Sequence, residues 1–417
     1  MLPPHSLLPT RMLLRSLLVA GITSHPMLLA PGLATLNFLS KPRAPLFNVE
    51  RNPLLHSILK NVLYNHFCAG ENASEVKATI QNIKNMGFCG VILTYAKEGP
   101  GRSSGDNSQL DPESQKVDTE IEAWHQGVLQ TVRMIGEGDF IALKLTGAGA
   151  AVTTALSLGN PLPTQMESAL ADLCGEAISR NVNIFLDAEQ HHVQTGINKV
   201  ALDLMRRYNR GDVAIVFNTY QAYLKSTSVT LLDHLDYAKK DGFTIGIKLV
   251  RGAYMSTEPR HLIHDTKAET DASYDLIAES LIQGQFAGWG QDESFSSPRL
   301  HLFLATHNRT STLKAQELQQ DRTKAGLPRI QVQYGQLLGM ADEVSFTLLQ
   351  RNKEDMQSQG LVVSDVYKCL TWGTIGDCIF YLLRRANENK DAVSRTVAEY
   401  RALRREVARR IKNVFTF

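Results

Sequence analysis

NIFLDAEQ (Asn183 to Gln190), GIKLVRGAY (Gly246 to Tyr254) and LHLFLATHN (Leu300 to Asn308) share one form: a short apolar run that stops at a cluster of polar side chains. A buried strand that ends in Asp, Lys, Arg, Thr or His has something to hold at its tip. In a parallel α/β barrel, side chains at the C-terminal ends of different strands converge on one site. Scanning outward for β-branched apolar runs bounded by turn residues gives eight strand candidates. They are Phe88–Tyr95, Phe140–Lys144, Val182–Asp187, Val213–Phe217, Thr244–Val250, Leu300–Ala305, Ile330–Gln333 and Val362–Cys369. Segments with helical spacing lie between them. Met166, Leu170, Leu173 and Ala177 share one face, with Ser168, Asp172 and Glu176 on the other. Leu202, Leu204 and Met205 lead into Arg206 and Arg207 in a second such segment. This alternation implies a parallel sheet, and eight repeats imply closure into a (βα)8 barrel rather than an open doubly wound sheet.

The totals agree with a globular chain. Its 417 residues are 43% apolar and 21% charged, ordinary for a soluble fold. A net charge of +2 gives no footprint for nucleic acid. Five cysteines, Cys68, Cys89, Cys174, Cys369 and Cys378, are widely spread without a CxxC pair. That argues against a structural zinc site or a disulfide framework and for reduced thiols.

The N-terminus is unusual: no acidic residue precedes Glu50, while Arg11, Arg15, Lys41 and Arg43 sit among Leu, Ser and Pro. An organellar transit peptide reads this way, and so does a Leu-rich helix packed on the domain or on a membrane surface. Arg15, His25, Pro26, Pro31 and Asn37 interrupt the apolar stretch from Leu13 to Leu39, which argues against a spanning helix. Glu98 to Asp118 and Gly284 to Pro298 read as exposed loops. From Arg395 to Lys412, Arg alternates with Val397, Tyr400, Leu403, Val407 and Ile411, an amphipathic helix with a basic face. The expected organisation is a targeting or helical extension over 1–60, the barrel over 61–390 and a basic helix over 391–417.

TGAGAAV (Thr146 to Val152) imitates a dinucleotide fingerprint but has Val152 at the third glycine position, so it reads as a flexible loop after the second strand. Asp187, Glu189, His191 and His192 have metal-ligand chemistry, but neighbouring strand-end residues point to opposite sides. His261 and His264 lack carboxylate partners beyond Asp265. No metal is expected; Asp187 reads as a carboxylate aimed inward from a strand tip. Lys144 ends the second strand candidate, where a cation can hold an anion or neighbour a redox centre. Arg384 and Arg385, in YLLRRANEN, can clamp a planar carboxylate bidentately. Glu388 is placed to pair with Arg384 at i, i+4.

Taken in order, Lys144, FLDAEQ, YQAYL (Tyr220 to Leu224), KLVRGAYM, ATHN, GQLLGMAD (Gly335 to Asp342) and YLLRRANEN resemble the proline dehydrogenases (proline oxidases), most nearly the fungal mitochondrial members. The likeness runs from about Asn65 to Asn389. It implies a distorted (βα)8 TIM-type barrel that binds FAD at the strand C-terminal ends. It implies oxidation of L-proline to Δ1-pyrroline-5-carboxylate by hydride transfer to flavin N5, with electrons passed to a quinone. It implies a mitochondrial location, in the matrix or peripheral to the inner membrane. Position by position, the resemblance places Asp187 and Lys248 at the family's acidic and basic catalytic positions, the latter often Arg in bacterial members. Lys144, Arg384 and Arg385 take the substrate carboxylate, and Glu388 positions the arginines. Tyr254 and Leu337 line the substrate pocket. Gln221, Lys248, Arg251, Gly252, Ala253, Thr306 and His307 take FAD-contacting positions.

One position departs from the family pattern. The last strand usually carries Tyr-x-Pro-x-Gly, its Tyr packed on the C4 edge of the substrate ring. Here Cys369 takes the Tyr position and Thr371 the Pro position in Tyr367–Gly373. The smaller side chain leaves room for 4-hydroxyproline, as in hydroxyproline dehydrogenases, unless Trp372 refills the space. A third reading is a non-catalytic amino-acid-binding barrel, which predicts loss of clamp or flavin residues; Lys144, Asp187, Gln221, Arg384 and Arg385 are all present. Folate reductases, another flavin barrel class, do not share the ordered motifs.

Overall fold

The computed structural model describes residues 3–41, 45–96, 117–286, 299–357, 363–391 and 393–415; the side chains of 26, 45, 356, 357, 386–395 and 415 also fall outside that description. Both expected loops, Glu98 to Asp118 and Gly284 to Pro298, lie largely outside it.

Eight parallel strands alternate with helices: β1 (Gly90–Tyr95), β2 (Phe140–Leu143), β3 (Asn183–Leu186), β4 (Val216–Gln221), β5 (Ile245–Val250), β6 (Leu300–Ala305), β7 (Gln331–Leu337) and β8 (Asp365–Trp372). They close in sequence order into a barrel, β1 to β8. The chain groups into two compact units, residues 98–335 with 355–367, and residues 1–97 with 336–354 and 368–417.

In the first of these units the inward faces of the strands carry large aromatics. Phe140 stacks on Phe185 at 4.4 Å, and Phe217, Phe303 and Tyr367 pack edge-on or tilted around them at 4.9–5.6 Å. Offset and edge contacts of this kind suit ring quadrupoles. The side-chain period of two then brings Thr219, abreast of Lys248 in the β4–β5 register, onto the same face as Phe217. The helix Thr164–Ser179 buries Met166, Leu170, Leu173 and Ala177, the stripe legible in the sequence.

Three strands differ from their expected bounds by three residues or more, and at two of them a polar side chain is satisfied where an apolar run was sought. β4 begins at Val216, not Val213, because buried Asn209 stitches its start. Its Oδ1 accepts from the Ile215 and Val216 amides (3.0 and 2.8 Å), and its Nδ2 donates to the carbonyls of Val216 and Thr244 (2.7 and 2.9 Å). β7 runs past Gln333, whose amide donates to Tyr367 Oη at 3.0 Å. β8 ends three residues beyond Cys369. The TGAGAAV segment is not a loop throughout. Leu145–Ala148 is a 3-10 turn and Ala150–Leu158 an α-helix that buries Val152. Gly149, at φ +106°, has no room for a Cβ against the Glu120 carboxylate.

In the other unit, Val19, Val49, Tyr64, Phe67, Ile375, Ile379 and Leu382 form one apolar core. The helix Thr10–Thr23 buries Leu13 and Val19 and packs against the helix Val393–Phe415. Arg410, on the latter, donates to the carbonyls of His5, Ser6 and Leu8 and to the buried Glu406 carboxylate. Among the described residues no single helix is long and apolar enough to cross a membrane; Thr10–Thr23 and Met27–Leu39 qualify only as a pair bent by 99°.

Candidate active site

The strand tips set the site. β3 delivers Asp187 and β5 delivers Lys248, whose Nζ donates to Asp187 Oδ1 at 2.6 Å. The pair is largely withdrawn from water, with side chains 20% and 10% exposed, respectively. Lys248 Nζ also stands 4.6 Å above the Phe185 ring, so a hydrocarbon floor lies under a cation held by one carboxylate. Both members start from rigid strands, so the pair is fixed in place. Beside them Thr219 Oγ1 is buried and has no hydrogen-bond partner among the described residues.

The loops beyond these strands are tied together. Glu189 accepts from the Thr146 amide at 3.2 Å and from the Thr146 hydroxyl, joining the loops after β3 and β2. Burial raises the Glu189 carboxyl above its ordinary range, the Thr146 bonds opposing. Gln221, at the end of β4, donates to the Glu189 carbonyl at 3.1 Å. The Lys144 carbonyl accepts from the Trp124 indole at 3.1 Å. Neither Glu189 nor His191 points at a common ion: His191 donates instead to Glu258, through its backbone at 2.8 Å and pairing through Nδ1 at 2.7 Å.

Glu258 belongs to the segment after β5 that holds Arg251, Gly252, Ala253 and Tyr254. Its side chain is 1% exposed. Gly252, at φ +140°, lies so close to Tyr223 that a Cβ would come within 2.2 Å of the ring. The Arg251 guanidinium spans from Asp271 (2.6 Å) to Ser311 Oγ (2.8 Å) and Thr306 Oγ1, above the Tyr274 ring. Arg251 and Thr306, read separately from the sequence, therefore meet. His307 follows Thr306 at the end of β6, half-buried.

The remaining predicted residues sit in the other unit. Arg384 and Arg385 project from the helix Ile375–Asp391, and their guanidinium carbons lie 5.8 and 5.0 Å from the Tyr381 ring. The Glu388 side chain lies outside the described residues. Cys369 is half-buried on β8, and its carbonyl accepts from the Leu338 amide at 2.9 Å, next to half-buried Leu337. Trp372 does not turn toward Cys369: it stacks on Tyr95 at 4.7 Å, on the opposite face of the strand. Lys368, also on that opposite face, is buried with Asp342 at 2.7 Å and reaches the Leu337 and Met340 carbonyls.

Tyr381 was open to sequence reasoning, since it stands three and four residues before the arginines on one helix. Glu258 and Thr219 were not: no apolar run or motif marks Glu258, and nothing in the local sequence sets Thr219 apart from an ordinary strand threonine. The donor set fits a flavin. A fixed cation, an unpartnered buried hydroxyl and the exposed backbone of Gly252 and Ala253 supply what an electron-rich ring and its polar tail need.

Fold and site together define a TIM-type barrel with a polar, charge-paired mouth at its strand C-terminal ends. The family description "Proline dehydrogenase" matches residues 76–398, and the chain belongs to the proline dehydrogenase family. It is 37% identical over 247 residues to the probable mitochondrial proline dehydrogenase of Schizosaccharomyces pombe, a match covering 57% of this chain and 49% of that one. It is 34% identical to the mitochondrial proline dehydrogenase 1 of Drosophila melanogaster, over 56% of this chain and 34% of the relative. The chain thus spans about half or less of the length of these two. With the hydroxyproline dehydrogenase of Xenopus laevis it shares 28% identity, over 85% of this chain and 79% of the relative. The crystal structure of proline utilization A from Bdellovibrio bacteriovorus matches the fold with a TM-score of 0.65 at 18% identity, covering 89% of this chain and 38% of that one.

Proposed function

We propose that the chain is a mitochondrial, FAD-dependent proline dehydrogenase. The observation that carries this reading is the Lys248–Asp187 pair, fixed over the Phe185 ring beside an unpartnered buried hydroxyl. Bound FAD would take the hydride from the substrate ring at its N5. Lys248, its side chain only 10% exposed, would supply positive charge to balance the negative charge of the reduced ring system. Asp187 holds Lys248 in place. Gln221, the Arg251–Ala253 segment, Thr306 and His307 bind the cofactor. Lys144, Arg384 and Arg385 hold the carboxylate, Glu388 orients the arginines, and Tyr254 and Leu337 shape the pocket, so that the reacting carbon is presented in one orientation. The product is Δ1-pyrroline-5-carboxylate, and the electrons go to a quinone. The chemistry at a membrane quinone favours peripheral contact with the inner membrane. The exposed apolar side chains of Leu14, Leu18, Met27 and Leu28 in the acid-free N-terminal region support such contact.

Hydroxyproline is the second substrate reading, favoured by one observation: Cys369 is small, and Trp372 is committed to Tyr95. Anaerobic titration of the flavin-loaded protein separates the readings through the absorbance near about 450 nm, a property of flavins in general. Saturable bleaching by L-proline supports the first. Bleaching by trans-4-hydroxy-L-proline alone moves the assignment to the second, and a barrel that takes up no FAD is non-catalytic.

A further inference from the structure

We propose that Glu50 and Glu71 are positioning residues for the Arg384–Arg385 pair, because they fix the start of the helix from which both arginines project. This inference rests on the function proposed above and adds residues that precede the family match, which begins at 76. The first amides of an α-helix have no partner within it. In the helix Ile375–Asp391, the Ile375 amide donates to Glu71 Oε1 at 3.2 Å and the Gly376 amide to Glu50 Oε1 at 2.7 Å. Asp377 is served locally by Thr374 Oγ1 at 3.2 Å. Two carboxylates from more than 300 residues upstream therefore cap this helix, with the charge sign that suits its N-terminal dipole.

Three further facts make the cap specific. Glu71 is itself anchored: its other oxygen pairs with Lys60 Nζ at 2.6 Å and His56 Nε2 at 3.1 Å, and its side chain is 13% exposed. Gly376 leaves room for the approach, since a Cβ there would stand 2.7 Å from Glu50 Oε1. Glu50, His56 and Glu71 bring possible metal ligands within 4.8 Å of one another. Lys60 already supplies the positive charge, however, and both Glu71 oxygens are engaged, so the cluster is a cap rather than a cation site. A helix is stiff along its axis, at about 1.5 Å of rise per residue. A shift at Ile375 therefore reappears at Arg384 and Arg385, where an error of about 1 Å is costly to substrate orientation.

The test compares flavin-loaded wild type with Glu71→Ala, Glu71→Gln and Gly376→Ala. For Glu71→Ala and Gly376→Ala, KM for L-proline should rise about tenfold, with kcat and flavin content within twofold. Glu71→Gln, which keeps an acceptor oxygen, should recover part of the loss. An unreactive five-membered ring-ether carboxylate reads the clamp without turnover, and its dissociation constant should rise by the same factor. Unchanged KM and unchanged analogue affinity in Gly376→Ala overturn the proposal even if the melting temperature falls, because the carboxylates would then contribute stability alone. Gly376→Ala also decides the matter if Glu71→Ala does not fold. If wild type binds the analogue but L-proline does not bleach its flavin, the proposed activity fails while the analogue comparison still judges the cap. If wild type binds no ring carboxylate, there is no clamp to position and the inference falls.

Discussion

Lys248 is held between a carboxylate 2.6 Å away and an aromatic ring beneath it. Removing its charge takes from Asp187 the cation that it pairs with. Lys248→Met should lower the rate of flavin reduction by about 10²-fold, measured by stopped-flow bleaching, while FAD remains bound. A rate within twofold of wild type would exclude Lys248 from the chemistry. On the proposed reading, Cys369 is the residue that bears on selectivity. Cys369→Tyr should leave turnover of L-proline within severalfold and reduce turnover of trans-4-hydroxy-L-proline by at least tenfold, about 1.4 kcal/mol. Parallel kcat/KM values check it, and an unchanged ratio removes Cys369 from the selectivity argument. Asp187 was legible in the sequence because it closes an apolar run with a charge; Lys248 stands inside its run and was marked only by the family resemblance. Glu258 was not, because the bond that gives it meaning comes from His191, 67 residues away.

Elements rather than single atoms govern the placement of the segment after β7. Lys368, on the outer face of β8, pairs with Asp342, and both are nearly inaccessible, at 3% and 6%. Lys368 also draws in the carbonyls of Leu337 and Met340. Lys368→Met should cost about 3–5 kcal/mol by leaving Asp342 buried and unpaired, read as a lower denaturant midpoint. A loss under about 1 kcal/mol would mean that Asp342 finds water. Gly339, in the same segment, sits at φ +71° with His66 so near that a Cβ would meet its carbonyl oxygen at 2.4 Å. At this scale the sequence conveyed that β4, β7 and β8 exist but misplaced their ends. A search for apolar runs ends β7 at Gln333, whereas the strand continues because Gln333 is satisfied by Tyr367, 34 residues away; the same search starts β4 at Val213, whereas the strand begins where the buried Asn209 side chain ties it, at Val216.

For the whole molecule, acid is the informative perturbation. His66 and His234 are held neutral, both lowered to about 4, chiefly by burial. Asp342 opposes that shift at His66 while Arg15 and Lys368 reinforce it, and Asp233 opposes it at His234. An unfolded histidine takes a proton near its ordinary value of 6.5, so below that pH protons favour the unfolded chain. The contribution of these two rings to stability is therefore full above pH 6.5 and lost progressively as pH falls toward 4. A melting temperature that stays flat from about pH 7 to about pH 4 would show that neither ring is buried in solution. The barrel class itself was readable from strand–helix alternation, since repeated short apolar runs are dictated locally. The partition of the chain into units was not readable, because it depends on which distant segments pack.

Cys68 bridges to Thr371, and the Tyr64 hydroxyl donates to the Gly373 carbonyl at 2.6 Å, across 309 positions of chain. Residues made early in synthesis thus acquire their partners only when the last strand has been made. Until then β1 presents an unpaired edge to a crowded solution, the state in which a parallel sheet is most prone to aggregation. Refolding from denaturant should accordingly be slow and sensitive to protein concentration. Inside a cell, the interval between the first strand and the last is the time a chaperone would have to cover.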